Sequence, residues 1–88
     1  MKRSKITVIH DMLYVVQQKG GKIKPTHLLY KANLSHDAMK KYVEELKEKQ
    51  FLEERMEKGK KIYALTDQGH KFLEEYNRFS QFAESFGI

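Results

Sequence analysis

The sequence predicts an α+β fold that is mainly α, with three helices, a β-hairpin and a long C-terminal helix. Three observations lead to this order. Apolar residues recur at spacings of three and four in the first half of the chain, which is the period of a helix. Between residues 52 and 65, two short runs instead alternate around a turn that contains a glycine, as the strands of a hairpin do. The helical period then returns after Thr66 and continues close to the last residue.

The length and composition indicate a single globular domain, residues 1–88, with one modest core. Hydrophobic residues make up 40% of the chain and charged residues 33%, which argues against disorder. There is no cysteine, so a disulfide framework and a thiolate zinc site are excluded. No apolar run approaches the roughly 20 residues of a membrane span, and no cleavage site of a signal peptide follows the basic start. We therefore expect a cytoplasmic protein without membrane contact.

The first helix is indicated by an apolar stripe whose members are spaced by three, four and three residues. We expect this helix to run from about Lys5 to Gln18. The pair Gly20-Gly21 should end it, because glycine readily adopts the left-handed conformation found at helix ends. The residues of the stripe are Ile6, Ile9, Leu13 and Val16.

A short second helix is predicted within residues 22–33, after an extended lead that contains Ile23. Pro25 suits the first turn of this helix, where its missing N–H group has no cost. The buried side should consist of Leu28, Leu29 and Ala32. Asn33 tolerates the tight turn that then leads into a third helix.

The third helix, residues 35–49, begins at Ser35, whose hydroxyl can cap the free N–H groups of the first turn. Its buried stripe consists of Met39, Val43 and Leu46. The N-terminal part of the opposite face carries His36, Lys40 and Lys41. A short helix, a brief turn and a longer capped helix form the helix-turn-helix pattern, whose second helix can enter a DNA major groove. An ordinary solvated helix face would carry similar residues, so the lysines alone do not decide the function.

Residues 52–65 predict a β-hairpin with a strongly basic tip, from Glu57 to Lys61. The residues expected on one side of it are Leu52, Glu54 and Met56 in the first strand, and Tyr63 and Leu65 in the second. A hairpin of this kind would suit a DNA-binding wing. Soluble proteins also place lysines at hairpin tips for other reasons, so this signal too is open to both readings.

The last helix, residues 67–88, follows Thr66, which can cap it. Gly69 replaces a bulkier side chain and would let the helix lie close to the body. Apolar residues then follow at spacings of four and three, the a/d register of a short coiled coil. They are Phe72, Tyr76, Phe79, Ala83 and Phe86, with Phe82 beside them. We expect these residues to form a homodimer interface; the alternative is that the helix packs wholly on its own body.

Positive charge is concentrated before the last helix. Residues 1–66 contain 15 Lys and Arg against 8 Asp and Glu, a net charge of +7, whereas residues 67–88 contain 2 against 4, a net charge of −2. The sum is the +5 of the whole chain. A basic body suggests a polyanionic partner, although many proteins of similar charge bind no nucleic acid.

Two segments carry a resemblance to a known family: LLYKANLSHDAMKKYVEELKEKQFLEE, from residue 28, and KKIYALTDQGHKFLEEY, from residue 60. They resemble the winged helix-turn-helix DNA-binding domains, and especially the small winged-helix proteins of archaea and their viruses. One departure is Gln50, where such proteins usually have glycine after the recognition helix. The resemblance implies a winged-helix fold and a DNA-binding regulator, often dimeric through the last helix.

The function predicted from these observations is sequence-preferring binding to double-stranded DNA by a homodimeric transcriptional regulator associated with the nucleoid. The third helix would enter the major groove and place Ser35, His36, Lys40 and Lys41 near base edges and flanking phosphates. The wing would place Arg55, Lys58, Lys60 and Lys61 along the adjacent backbone or minor groove. Further phosphates would be held by Lys24, Thr26 and Lys31.

Other functions remain open at this stage. An architectural, nucleoid-type protein would bind DNA with little sequence choice, and a protein-interaction winged helix would use its last helix for docking. We predict no enzyme activity, no metal and no cofactor, because the four histidines are scattered and no nucleophile or phosphate-loop motif occurs. The adjacent pairs Glu44-Glu45 and Glu53-Glu54 do not face one another on a helix and are expected to be solvated charges.

Overall fold

The computed structural model describes residues 3–88, and this part of the chain contains four helices and one three-stranded sheet. The helices are α1 (Lys5–Gln18), α2 (Pro25–Lys31), α3 (His36–Glu48) and α4 (Asp67–Ser85). The strands are β1 (Lys22–Ile23), β2 (Leu52–Glu57) and β3 (Lys60–Leu65). The predicted winged-helix order of three helices, a hairpin and a long C-terminal helix is confirmed. No helix among these residues is both long enough and apolar enough to cross a membrane.

The sheet has β3 in the middle, with β1 and β2 pairing antiparallel on either side of it. β2 and β3 form the predicted hairpin, in which Leu52 lies opposite Leu65 and Glu57 opposite Lys60. The sequence predicts only an extended lead where the structure has β1. This lead becomes a strand because Ile23 pairs with Tyr63, a partner so distant in the sequence that no local pattern indicates the pairing.

The hairpin projects from the body of the domain as a wing. It turns on Lys58 and Gly59, whose φ angles of 53° and 76° are both positive, as a two-residue type I′ turn requires. The predicted alternation along β2 holds only at its base: Leu52 is buried, whereas Met56 is 66% exposed. In the central strand β3, the consecutive residues Ile62, Tyr63 and Ala64 are all buried.

The hydrophobic core is organised around α1. Its predicted stripe is confirmed at three of the four positions, Ile9, Leu13 and Val16, which are buried together with Val8 and Met12. The prediction is wrong for Ile6, which is 54% exposed. Ile6 lies in the first turn of the helix, at the rim of a groove that also contains Phe51 and Phe72.

A residue in the left-handed backbone conformation follows each of the four helices. Gly20 and Gly21 follow α1 with φ angles of 88° and 94°, as predicted. After α3 the same task falls to Gln50, which has a φ of 62° although it is not a glycine. The chain reverses there because Phe51 N donates to the carbonyl oxygen of Leu46 at 2.9 Å, which closes the end of the helix.

The start of α4 is tied to the end of α3. The hydroxyl of Thr66 accepts from Gly69 N at 3.0 Å, which caps α4, and it donates to the carbonyl oxygen of Gln50. A Cβ atom at Gly69 would overlap the carbonyl oxygen of Phe51 and the side chain of Leu65. The close approach predicted for this glycine is therefore confirmed.

Candidate nucleic-acid interface

The helix α3 begins as the sequence predicts. Ser35 is its N-cap, and the Ser35 hydroxyl accepts from Ala38 N at 3.1 Å. The acidic Asp37 lies in the first turn, where the helix dipole favours a negative charge. The buried stripe consists of Met39, Val43 and Leu46. Burial of this stripe leaves the predicted contact residues on the exposed side: Ser35, His36, Lys40 and Lys41.

The turn before α3 is held by Arg3, a residue that the sequence analysis did not single out. Its guanidinium donates to the carbonyl oxygens of Ala32 and Asn33, at 2.9 and 3.3 Å. It also pairs with Asp11 at 3.0 Å, and the second oxygen of that carboxylate lies 3.1 Å from His10 Nδ1. A cation suits this position because the carbonyl groups at a helix C-terminus carry partial negative charge. Arg3 thus ties α1 to the turn that precedes α3.

A groove separates α3 from the wing and brings together residues from both. It is lined by His36, Lys40 and Glu44 of α3 and by Glu54, Lys61 and Tyr63 of the hairpin, with Met39 and Val43 at its base. Burial of the Tyr63 ring raises the pKa of its hydroxyl. Three of the predicted contact residues, His36, Lys40 and Lys61, therefore face one groove.

A chain of ion pairs crosses this groove and fixes the wing against the helix. Lys47 lies 3.1 Å from Glu54 and 3.2 Å from Glu44, and Glu54 lies 3.9 Å from Lys61. Hydrogen bonds to Glu54 and to Glu44 raise the pKa of Lys47 above its usual value. Lys61 therefore faces a carboxylate of its own chain as well as the solvent.

The cations of the wing divide into paired and unpaired groups. Arg55 pairs with Glu53 on the same strand, and Lys22 of β1 pairs with Glu57 at 2.8 Å. The hydrogen bond from Lys22 holds the pKa of Glu57 below its usual value. Within residues 3–88, Lys58 and Lys60 at the tip form no ion pair, and the same holds for Lys40 and Lys41 on α3.

The remaining predicted phosphate contacts lie elsewhere. Lys24 and Lys31 line a separate basic groove beside α1 and β1, whereas Thr26 is exposed and does not line it. This groove also contains Lys19, Lys22 and His27, which the sequence analysis did not select. The spacing of His27 and Lys31, four residues apart on one helix, was an available signal for part of it.

The predicted dimer residues meet different surroundings along α4. Phe72 and Tyr76 are half-buried on the body, where the Tyr76 ring stacks on His10 with centroids 4.1 Å apart. Ala83 is also half-buried. By contrast, Phe79, Phe82 and Phe86 are 68%, 60% and 68% exposed. Among residues 3–88 there is no group of three acidic or histidine side chains placed to hold a metal ion.

Known proteins share this architecture. A family model described as winged helix-turn-helix matches residues 2–84. Sso10a-2, a DNA-binding protein from Sulfolobus solfataricus, is 23% identical, with a TM-score of 0.78 over 96% of this chain and 85% of that chain. F93 from STIV, a winged-helix DNA-binding protein, is 21% identical, with a TM-score of 0.76 over 91% of this chain and 92% of that chain. At these identities the likeness concerns the fold, and a search of curated proteins finds no significant match.

Proposed function

Because the chain belongs to the winged helix-turn-helix family, we propose that it binds double-stranded DNA as a sequence-preferring, homodimeric transcriptional regulator. The observation that carries this proposal is the exposed face of α3. Lys40 and Lys41 lie there without an ion-pair partner among residues 3–88, on a helix whose N-terminus is capped and whose flank is formed by a wing. Two proteins of the same fold, Sso10a-2 and F93, are DNA-binding proteins, which supports this reading. The proposed place of action is the nucleoid in the cytoplasm.

In the proposed complex α3 enters the major groove. Lys40 and Lys41 donate to guanine O6 and N7 or to flanking phosphates, and Ser35 and His36 contact bases or phosphates near the helix N-terminus. The same face also carries carboxylates: Asp37, Glu44 and Glu48. Phosphates repel carboxylates, whereas the amino group of cytosine can donate to them. A mixed face of this kind favours sequence preference over the uniform binding of an architectural protein.

The wing and α2 position the domain on the backbone. Lys58 and Lys60 at the wing tip contact phosphates directly, because neither is held by a carboxylate among the described residues. Arg55 and Lys61 contribute less, since each must exchange a partner of its own chain for a phosphate. On α2 the phosphate contacts are Lys24, Thr26 and Lys31. These contacts orient the protein without reading the sequence.

The proposed dimer forms through the exposed second half of α4. Three aromatic rings are mostly exposed there: Phe79, Phe82 and Phe86. Isolated apolar residues are normal on a surface, but a group of large ones marks a binding surface. Two copies joined in this way would present two α3 helices to two half-sites of one DNA duplex.

The test is retention and sequencing of a random duplex library by the full chain at two salt concentrations. We expect salt-sensitive enrichment of a motif with two-fold symmetry, with a log–log slope of about −0.9 for each phosphate neutralised. Salt-sensitive retention without enrichment would instead support architectural binding. No retention at low salt would overturn the DNA-binding proposal and favour a protein partner for the exposed end of α4.

Two lysines should separate base reading from backbone binding. Lys40→Ala should reduce the preference for the selected sequence over random DNA by about tenfold, because one specific contact is lost. Lys60→Ala should weaken both DNAs alike and reduce the salt slope by about 0.9. Lys71→Ala, at an exposed position on α4, is the control for loss of one positive charge. Equal losses on selected and random DNA for Lys40→Ala and Lys60→Ala would contradict these roles.

A further inference from the structure

A concave surface lies between the end of α1, the strand β1 and α2. Tyr14, Val15 and Gln18 contribute to it from α1, Lys19 from the C-cap of α1, Ile23 from β1, and His27 and Lys31 from α2. A second depression adjoins it and shares Lys19, Ile23 and His27, with Lys22, Lys24 and Ile62 added. We call the two together the α1–α2 groove. It shares no residue with the groove between α3 and the wing.

Helical spacing gives this groove an apolar floor and a polar rim. Residues four apart lie on the same face of a helix, so α2 places His27 beside Lys31. Lys19, the C-cap of α1, follows Val15 by the same spacing, and its N–H donates to the carbonyl oxygen of Val15. Ile23 is almost fully buried and forms the floor where the two helices approach β1. Tyr14 stands at the opposite edge with its ring partly exposed. Apolar atoms thus line the bottom of the groove, and the charged ends of lysines surround it.

The charge of the groove distinguishes it from the other concave surfaces. Carboxylates line each of three other grooves. They are Glu44 and Glu54 between α3 and the wing, Glu53 and Asp67 in a groove beside β2, and Glu45 in the groove that contains Ile6 and Phe51. No carboxylate lines the α1–α2 groove. Within residues 3–88, its cations at positions 19, 24 and 31 have no ion-pair partner. Lys22 of the groove pairs with Glu57, but no acidic group among residues 3–88 neutralises the positive charge of Lys19, Lys24 and Lys31.

We propose that the α1–α2 groove binds a small organic anion, specifically a carboxylate attached to a flat apolar ring. The carboxylate lies between Lys31, His27 and Lys19, which donate to it. The ring rests on Val15 and Ile23, beside the face of Tyr14. The carboxylate suits the cationic rim, because charge-assisted hydrogen bonds hold an anion there. The ring suits the apolar floor, because its burial removes apolar surface from water. The proposal does not depend on DNA binding.

The experiment uses benzoate as the probe and the full chain without DNA. Amide resonances of the ¹⁵N-labelled protein are followed during titration to concentrations on the order of millimolar, as expected for so small a ligand. We expect saturable shifts centred on Val15, Ile23 and His27. Benzyl alcohol, which has the ring without the charge, and inorganic phosphate, which has charge without the ring, should each bind at least about tenfold more weakly.

Two variants test the location. Lys31→Met should weaken benzoate binding by about tenfold, because one charged donor is removed. Gln18→Phe, at an exposed position on the rim, should abolish the binding by filling the groove. Lys58→Met at the wing tip removes the same charge far from the groove and should leave the affinity unchanged. Each variant is compared with the parent protein by its unfolding midpoint, so that loss of folding is recognised.

Several outcomes would overturn the proposal. They are the absence of saturation, shifts outside the groove, equal binding of benzyl alcohol or phosphate, and equal losses for Lys31→Met and Lys58→Met. None of these outcomes bears on the DNA library, which is measured separately.

Discussion

The two halves of α4 carry the same spacing of apolar residues in different surroundings. The first half runs from Gly69 to Tyr76, and the second from Phe79 to the C-cap, Phe86. In the first half Leu73 is fully buried, and Phe72 and Tyr76 pack against Phe51 and His10. In the second half the phenylalanine rings lie mostly in solvent. A regular apolar stripe therefore shows which face of a helix is apolar. It does not show whether that face is buried on the body of the same chain or on another molecule.

The difference arises from the length of the helix relative to the body. α4 is anchored at its start by Thr66 and by the close approach of Gly69. A helix rises about 1.5 Å per residue, so the ten residues from Tyr76 to Phe86 span about 15 Å. The whole chain measures 48 × 29 × 21 Å, which agrees with a long element extending from a small body. We call the first half of α4 the anchored half and the second half the free half. The anchored half is expected to contribute to folding, and the free half to association between chains.

The largest expected effect concerns the free half. Replacing Phe79, Phe82 and Phe86 together by serine should abolish self-association, because the proposed dimer buries these rings. Sedimentation equilibrium should then report the 10.5 kDa of one chain at every concentration, while the parent protein approaches twice that mass. The control replaces Glu74, Glu75 and Arg78 by serine on the exposed side of the same helix. A parent protein that stays monomeric throughout would contradict the assignment of this half to a dimer.

The next effect concerns the anchored half. Leu73→Ala should lower the free energy of unfolding by about 2–5 kcal/mol, because it removes a fully buried side chain and leaves a cavity. Phe82→Ala, measured in dilute protein where dimers dissociate, should change it by less than about 0.5 kcal/mol. Urea denaturation of both variants makes the comparison. Equal destabilisation would mean that the second half also packs on its own body.

A smaller effect is expected where the anchored half meets the helix-turn-helix. Tyr76 stacks on His10, His10 contacts Asp11, and Asp11 pairs with Arg3, which holds the turn at residues 32–33. Arg3→Met should lower the free energy of unfolding by about 1 kcal/mol, a value reduced by the partial exposure of the pair.

The Arg3 variant should also speed hydrogen exchange at Leu34 N, which donates to Leu29 O across the same turn. Lys71→Met, which removes an exposed charge on α4, is the control. Unchanged exchange at Leu34 would show that Arg3 does not hold the turn.

The smallest effect concerns Gln50, at the end of α3, whose carbonyl oxygen accepts from Thr66 at the start of α4. Gln50 has a φ of 62°, a conformation that favours glycine, so Gln50→Gly should raise the free energy of unfolding by about 0.5–1 kcal/mol. Its neighbour Lys49 has a φ of −79°, and Lys49→Gly should lower the free energy by a similar amount, about 0.5–1 kcal/mol. Opposite signs at adjacent positions, measured by thermal unfolding, would confirm that the backbone conformation is the cause. A loss at both positions would contradict it.

Local patterns predicted the parts of the site that depend on neighbours in sequence. The Ser35 cap, the buried stripe of α3 and the two-stranded wing each follow from residues a few positions apart, and the structure has all three. The partners of individual charges were not predictable in this way. Lys61, for example, faces Glu54 across the hairpin, and Lys22 pairs with Glu57; both pairs depend on how the strands align. The assignment of the contact residues to DNA remains a proposal.

The sequence by itself determined the order of the elements, their caps and the face that each helix buries, because these depend on hydrogen bonds and periodicity over a few residues. Tertiary structure decided the rest. It paired β1 with β3, brought Arg3 to the turn before α3, and gathered Lys19, Lys24 and Lys31 around one groove. It also set the point along α4 at which the body ends and the aromatic stripe becomes exposed. The physical reason is that these contacts join residues distant in the chain, and only the packed core brings them within reach of one another.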